Sequence, residues 1–158
     1  LEEVAAVITN PERFIIVSAA AEASYSLTAF DAALLKAGIG NVNLVRISSI
    51  LPPGCFEEEN GIIFPPGAFV PTAYGSICSE IKGELIAAAV GIGFSKDTFG
   101  VIMEFSGKCG AEEARANVES MIKEAFSNRS EELKGMKIKS VEHRVEKAGA
   151  VLAAVALW

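Results

Sequence analysis

The stretch that most constrains this chain is residues 43–53, Asn-Leu-Val-Arg-Ile-Ser-Ser-Ile-Leu-Pro-Pro, an apolar run that carries two adjacent serines and halts at two prolines. Val45, Ile47 and Ile50 favour a strand. Pro52 and Pro53 lack an amide donor and cannot continue a central strand, so Ser48 and Ser49 are expected where a strand leaves its sheet. A chain break there is tolerable. Taken alone, the pair also fits two ordinary strand-end serines hydrogen-bonded to nearby backbone.

The flanking sequence supplies the rest of a fold. Residues 13–19, with Phe14-Ile15-Ile16-Val17 unbroken after Asn10-Pro11, read as a buried strand. Thr28 is expected to cap a helix, with Asp31 in the capping-box position, Phe30, Leu34 and Ala37 on one face, and Gly38 and Gly40 at its end. On that reading Asp31 serves the helix terminus. Residues 52–66, with Gly54, Glu57 to Glu59, Asn60-Gly61 and Pro65-Pro66, read as an irregular surface loop. Residues 67–77 return to strand composition, Pro71 placing them at an edge or a bulge. Residues 83–94 are read as a strand whose Gly91 and Gly93 do not complete a dinucleotide fingerprint.

Residues 99–106 alternate, with Val101, Met103 and Phe105 on one face and Ile102 with Glu104 on the other. A carboxylate in such a strand either reaches solvent at the sheet end or sits half-buried with a raised pKa suited to proton donation. Residues 111–128 form the clearest helix, with Ala114, Val118, Met121, Ile122, Ala125 and Phe126 on one face. Residues 138–146 and 149–158 are expected to pair as an antiparallel hairpin through Lys147-Ala148. Six or seven strands with two helices in 158 residues predict one domain of α+β class or a layered α/β sandwich.

Composition narrows the chemistry. With 14 basic and 20 acidic side chains the net charge is -6, which argues against nucleic acid and favours a cationic small molecule if the charge is concentrated in a cleft. Cys55, Cys78 and Cys109 form no Cys-x-x-Cys pair, so neither a disulfide framework nor a zinc site is expected, and a reducing, cytoplasmic setting fits. His143 stands without a second histidine, so no metal site is expected. No signal-peptide pattern or bilayer-length apolar run is visible, so no membrane association is expected, and Leu1 in place of an initiator Met is read as the mark of a trimmed chain. The hydrophobic fraction of 51% leaves room for a subunit interface. A hydrolase nucleophile elbow, a P-loop and a Cys-His pair with defined spacing are all absent from the sequence.

Residues 31–53, 67–75, 100–109, 140–147 and 153–158 together resemble the pyruvoyl-dependent arginine decarboxylases, in order and spacing, from about Arg13 to the last residue. The departure is greatest at residues 54–66. The resemblance implies a four-layer α/β/β/α sandwich and a homotrimer or a dimer of trimers. It also implies a proenzyme that cuts itself between Ser48 and Ser49 into residues 1–48 (a β chain) and 49–158 (an α chain). Ser49 would become a covalent pyruvoyl group, with no pyridoxal phosphate and no metal, and arginine would be converted through an imine to agmatine and carbon dioxide. By the same resemblance Asn43 assists cleavage by donating to the oxyanion, Glu104 donates a proton, and Asp31 pairs with the guanidinium. Two other expectations stay open: the same chemistry on lysine or ornithine, and an unprocessed homologue serving as a trimeric binding or structural subunit.

Overall fold

The computed structural model describes residues 9–158. Within them the chain runs β1 (Arg13–Ala23), α1 (Ser26–Lys36), β2 (Asn43–Arg46), β3 (Ile50–Leu51), β4 (Phe56–Glu57), β5 (Phe69–Ser79), β6 (Leu85–Phe94), β7 (Gly100–Gly107), α2 (Ala111–Asn128), β8 (Gly135–Arg144) and β9 (Ala148–Leu157). One sheet has the order β2-β5-β9-β1-β4 and the other β3-β7-β6-β8.

β9 explains the stacking. All of its residues are apolar and buried, a composition that suits a strand covered on both faces and flanked on both edges. It lies between β5 and β1, antiparallel to each. Leu152, Ala154 and Ala156 meet Ala29 and Ala33 of α1, whereas Val151, Ala153 and Val155 meet Ile86, Ala88 and Ile102 of the opposite sheet. A third apolar layer joins Ala87 and Ala89 of β6 to Val118, Ile122 and Phe126 of α2. The result is α1, five-stranded sheet, four-stranded sheet and α2, in that order. Each fully buried Ile or Leu adds about 1.5–3 kcal/mol to this packing. The glycines of β6 let α2 lie close: a Cβ on Gly91 would fall 2.7 Å from Val118, and one on Gly93 2.5 Å from Ile122.

Several local expectations change. α1 begins at Ser26, with Tyr25 at its N-cap and no side-chain cap. The amide of Ala29 already donates to the Tyr25 carbonyl, so Thr28 lies inside the helix, where its hydroxyl donates to that same carbonyl at 3.1 Å. Asp31 therefore falls outside the first turn and plays no capping role. The loop at 52–66 is largely irregular, yet β4 inside it pairs in parallel with β1, and Phe64 is buried edge-to-face against Trp158. Pro71 stands on an interior strand, but at a point where β5 pairs only with β2, since its ladder to β9 starts at Thr72.

The expected hairpin of the last two strands does not form. β8 pairs with β6, and β9 belongs to the other sheet, because a strand buried on both faces needs the central position that an alternating edge strand like β8 does not. Residues 145–147 carry the chain between sheets, and Glu22 of β1 holds this corner. Its carboxylate accepts from the amides of Glu146 (2.9 Å) and Lys147 (3.1 Å) and from His143 Nε2 (2.7 Å). Burial pushes the Glu22 carboxyl up, but the Glu146 amide, His143 and the Lys147 amide outweigh it and pull the pKa down from 4.5 to about 2. A depressed folded-state pKa gives stability that is complete above pH 4.5 and is lost as the pH falls toward 2. Glu22→Gln should cost about 2 kcal/mol at neutral pH and flatten the acid limb of stability, measured by denaturant unfolding at stepped pH.

Candidate active site

The serine pair lies where the chain changes sheets. β2 is the edge strand of the five-stranded sheet, parallel to β5 with Arg46 opposite Thr72. β3 is the edge strand of the other, antiparallel to β7 with Ile50 opposite Val101. Residues 47–49 make the crossing. On one side the amide of Ile47 donates to the Thr72 carbonyl at 3.1 Å, and on the other the amide of Ile102 donates to the Ser49 carbonyl at 2.7 Å. The Ser48–Ser49 peptide bond thus has one anchor on each sheet. Ser48 is exposed and Ser49 half-buried.

Glu104 approaches this bond from β7. Val101, Met103 and Phe105 pack toward α2, while Ile102 enters the layer between the sheets, so Glu104 shares the face of the residue that holds Ser49. β5 passes so near that a Cβ on Gly75 would lie 3.2 Å from the Phe105 carbonyl oxygen and 3.4 Å from Glu104 Cβ. One strand position further, Ser106 Oγ donates to the Ser76 carbonyl at 3.0 Å and fastens the same two strands. Glu104 is half-buried. Burial raises its pKa above 4.5, and the charge of Arg46 opposes the rise without cancelling it. Of the two readings open for this carboxylate, the half-buried one describes it.

Arg46 was not among the residues singled out from the sequence. Its guanidinium lies 3.9 Å from the centroid of the Tyr74 ring, and Nη1 donates to the Tyr74 carbonyl at 2.8 Å. Tyr74 in turn stacks on Phe30 of α1, at 6.4 Å between ring centroids. No local pattern marks it: Arg46 ends β2, and its partner Tyr74 lies on another strand.

The two remaining candidates stand apart from this group within one chain. Asn43 opens β2 opposite Phe69, where its amide side chain donates to the Gly67 carbonyl at 3.1 Å and its backbone amide to the Ala68 carbonyl at 2.8 Å. Its side-chain amide is thus engaged at the start of β2, five residues before Ser48. Asp31 is exposed on α1, in the outermost layer. His143 is engaged at the Glu22 corner. Among the described residues, no group of three or more His, Cys, Asp or Glu side chains is placed to hold a metal ion, and no helix is long and apolar enough to cross a membrane.

The fold is a two-sheet α+β sandwich in which the candidate Ser48–Ser49 bond lies at the crossing between the sheets. The family model described as "Pyruvoyl-dependent arginine decarboxylase" matches residues 13–158. A protein of that name from Methanocaldococcus jannaschii is 48% identical over 152 residues, covering 94% of this chain and 90% of its own. Another so named, from Thermococcus kodakarensis, is 43% identical over 152 residues, covering 95% and 97%. The chain belongs to the pyruvoyl-dependent arginine decarboxylase family.

Proposed function

We propose that this protein is a self-processing decarboxylase that converts arginine to agmatine and carbon dioxide, with Ser49 as the precursor of its pyruvoyl group. The observation that carries the reading is the Ser48–Ser49 bond spanning the two sheets, with half-buried Glu104 on the strand that holds the Ser49 carbonyl. Cleavage starts when Ser49 Oγ adds to the Ser48 carbonyl. The peptide C–N bond breaks, the hydroxyl proton passes to the Ser49 nitrogen, and an ester joins the two halves. Loss of the Ser49 Cα proton to water then expels Ser48 as a carboxylate, and hydrolysis releases ammonia and leaves the ketone. Residues 1–48 and 49–158 are the resulting chains.

Ser49 suits that group. The hydrogen bond from Ile102 falls on its main-chain carbonyl, an atom the conversion leaves in place, so β7 holds the residue before and after maturation. The pyruvoyl group supplies a carbonyl that condenses with a primary amine and accepts the electron pair left by departing carbon dioxide. Glu104, whose carboxyl pKa is raised by burial, is the proton donor to the substrate carbon.

Asp31 and Asn43 take part across a subunit boundary. Asp31 is exposed on α1, and a groove of about 870 Å³ beside β2, lined by Val45, Phe69, Pro71, Leu157 and Trp158, includes neither Ser49 nor Glu104. Val45 and Phe69 are exposed. The family resemblance implies a trimer, alone or paired, in which Asp31 of a neighbouring copy receives the substrate guanidinium as a carboxylate partner and the Asn43 amide serves the oxyanion. The cytoplasm, a reducing compartment, fits three free cysteines.

Two measurements test the reading. Denaturing mass analysis of the purified protein should give two fragments divided between Ser48 and Ser49, the larger carrying a carbonyl-reactive end. Carbon dioxide release should be faster with arginine than with lysine or ornithine. A single uncut chain in active preparations, or equal rates on the three amino acids, would overturn the processing and the substrate assignment respectively.

A further inference from the structure

Cleavage creates a charge that the uncut chain lacks, the carboxylate on Ser48. Two charged residues stand on the strands next to the crossing: Arg46 ends β2, and Glu104 is on β7, the strand that pairs with β3. Arg46 ends β2 opposite Thr72, and the Ile47 amide makes the last bond to β5, on the Thr72 carbonyl, so Ser48 is the next residue of the chain. The Arg46 guanidinium is fixed to Tyr74, two residues beyond Thr72 on β5, by its ring at 3.9 Å and its carbonyl at 2.8 Å. Arg46 and Ser48 are two positions apart, at most about 7 Å between their Cα atoms, so a long side chain such as that of Arg46 can reach the Ser48 main chain. A guanidinium has five N–H donors in a planar fork, of which the carbonyl of Tyr74 takes one. The charge of Arg46 also acts on the Glu104 carboxyl, against the rise caused by burial.

We propose that Arg46 is the cation that receives Ser48 as a leaving group during maturation, and that it then holds the new carboxyl end beside Tyr74. This rests on the self-processing reading above. In the step concerned, the Ser49 Cα proton passes to water, the Cβ–Oγ bond breaks, and both electrons of that bond leave with the Ser48 carboxylate. Negative charge therefore grows on the oxygens of Ser48, which the guanidinium stabilises by charge-assisted hydrogen bonds. The earlier acyl shift creates no carboxylate and has no comparable need of Arg46. Tyr74 supplies the rigid platform, itself braced by Phe30.

The test separates the two steps. Freshly synthesised wild-type, Arg46→Met and Arg46→Lys chains are followed over time by denaturing mass analysis, with and without hydroxylamine, which cuts esters and spares ordinary peptide bonds. In Arg46→Met, conversion of ester to separated fragments should slow on the order of tenfold to a hundredfold. Full-length material should accumulate that hydroxylamine splits at residue 48 and whose second half still begins with serine. Arg46→Lys should recover a large part of the wild-type rate, since it keeps the charge. Wild-type kinetics in Arg46→Met would overturn the proposal. So would full-length Arg46→Met material that resists hydroxylamine, because the block would then precede the ester, as it would in a misfolded chain. A wild-type chain that never divides at Ser48 would instead overturn the self-processing reading, and this role with it.

Discussion

Ser49→Ala is expected to remain a single 158-residue chain with no measurable decarboxylase activity. Alanine has no β-oxygen, so neither the acyl shift nor the elimination has an atom to proceed through, and the loss should equal the whole catalytic advantage, roughly 10⁶-fold or more. The fold should survive. The hydrogen bond that ties this residue to β7 uses its main-chain carbonyl, and a half-buried side chain away from the packed layers changes stability by less than about 0.5 kcal/mol when trimmed. Denaturing mass analysis, an activity assay and a melting curve on one preparation read all three. Cleaved product from this variant would remove Ser49 from the proposed chemistry.

Glu104→Gln separates maturation from turnover. The amide matches the carboxyl in shape and fits the same space between β7 and Gly75, so the chain should fold and divide normally. Decarboxylation should fall by about 10²–10⁴-fold, the usual contribution of a positioned general acid. The pH profile supplies a second reading. Because burial lifts the Glu104 carboxyl above 4.5, wild-type turnover should decline as the pH rises through its folded pKa and the proton is lost, and Glu104→Gln should lack that decline. An undiminished rate in the variant would end the proton-donor role.

The sequence carried much of this fold, for identifiable reasons. α2 occupies residues 111–128 as expected, since a stripe such as Ala114, Val118, Ile122 and Ala125 fits one helical face and no competing period. The alternation in β7 likewise located Glu104 on the correct face. What was not legible depends on long-range partners. The apolar run of β9 and the alternation of β8 are adjacent in sequence and look like a hairpin, and only the presence of a second sheet sends them apart. Glu22 drew no notice, because its value lies in accepting bonds from a corner more than a hundred residues away. Thr28 and Asp31 satisfied the spacing of a capping box, but the helix starts one turn sooner through backbone contacts alone. For the site, residue types and spacing alone marked only an unusual serine pair and a carboxylate in an apolar strand, and the family resemblance supplied the expected roles of Ser48, Ser49, Glu104, Asn43 and Asp31. Arg46 required the location of Tyr74, which no local pattern contains.

The position of β1 bears on the life of the enzyme after maturation. It belongs to the shorter proposed fragment, yet it is laced to β9 from Phe14 opposite Leu157 to Ala23 opposite Ala148, with β4 on its other edge. On the proposed cleavage the two fragments would stay together by ladder pairing rather than by a covalent link, and denaturation would turn one molecule into two. Refolding of the precursor is unimolecular, while refolding of the mature protein becomes a second-order encounter whose rate scales with concentration. Since the reactive end arises only inside an uncut chain, fragments synthesised separately would reassemble at best into an inert copy.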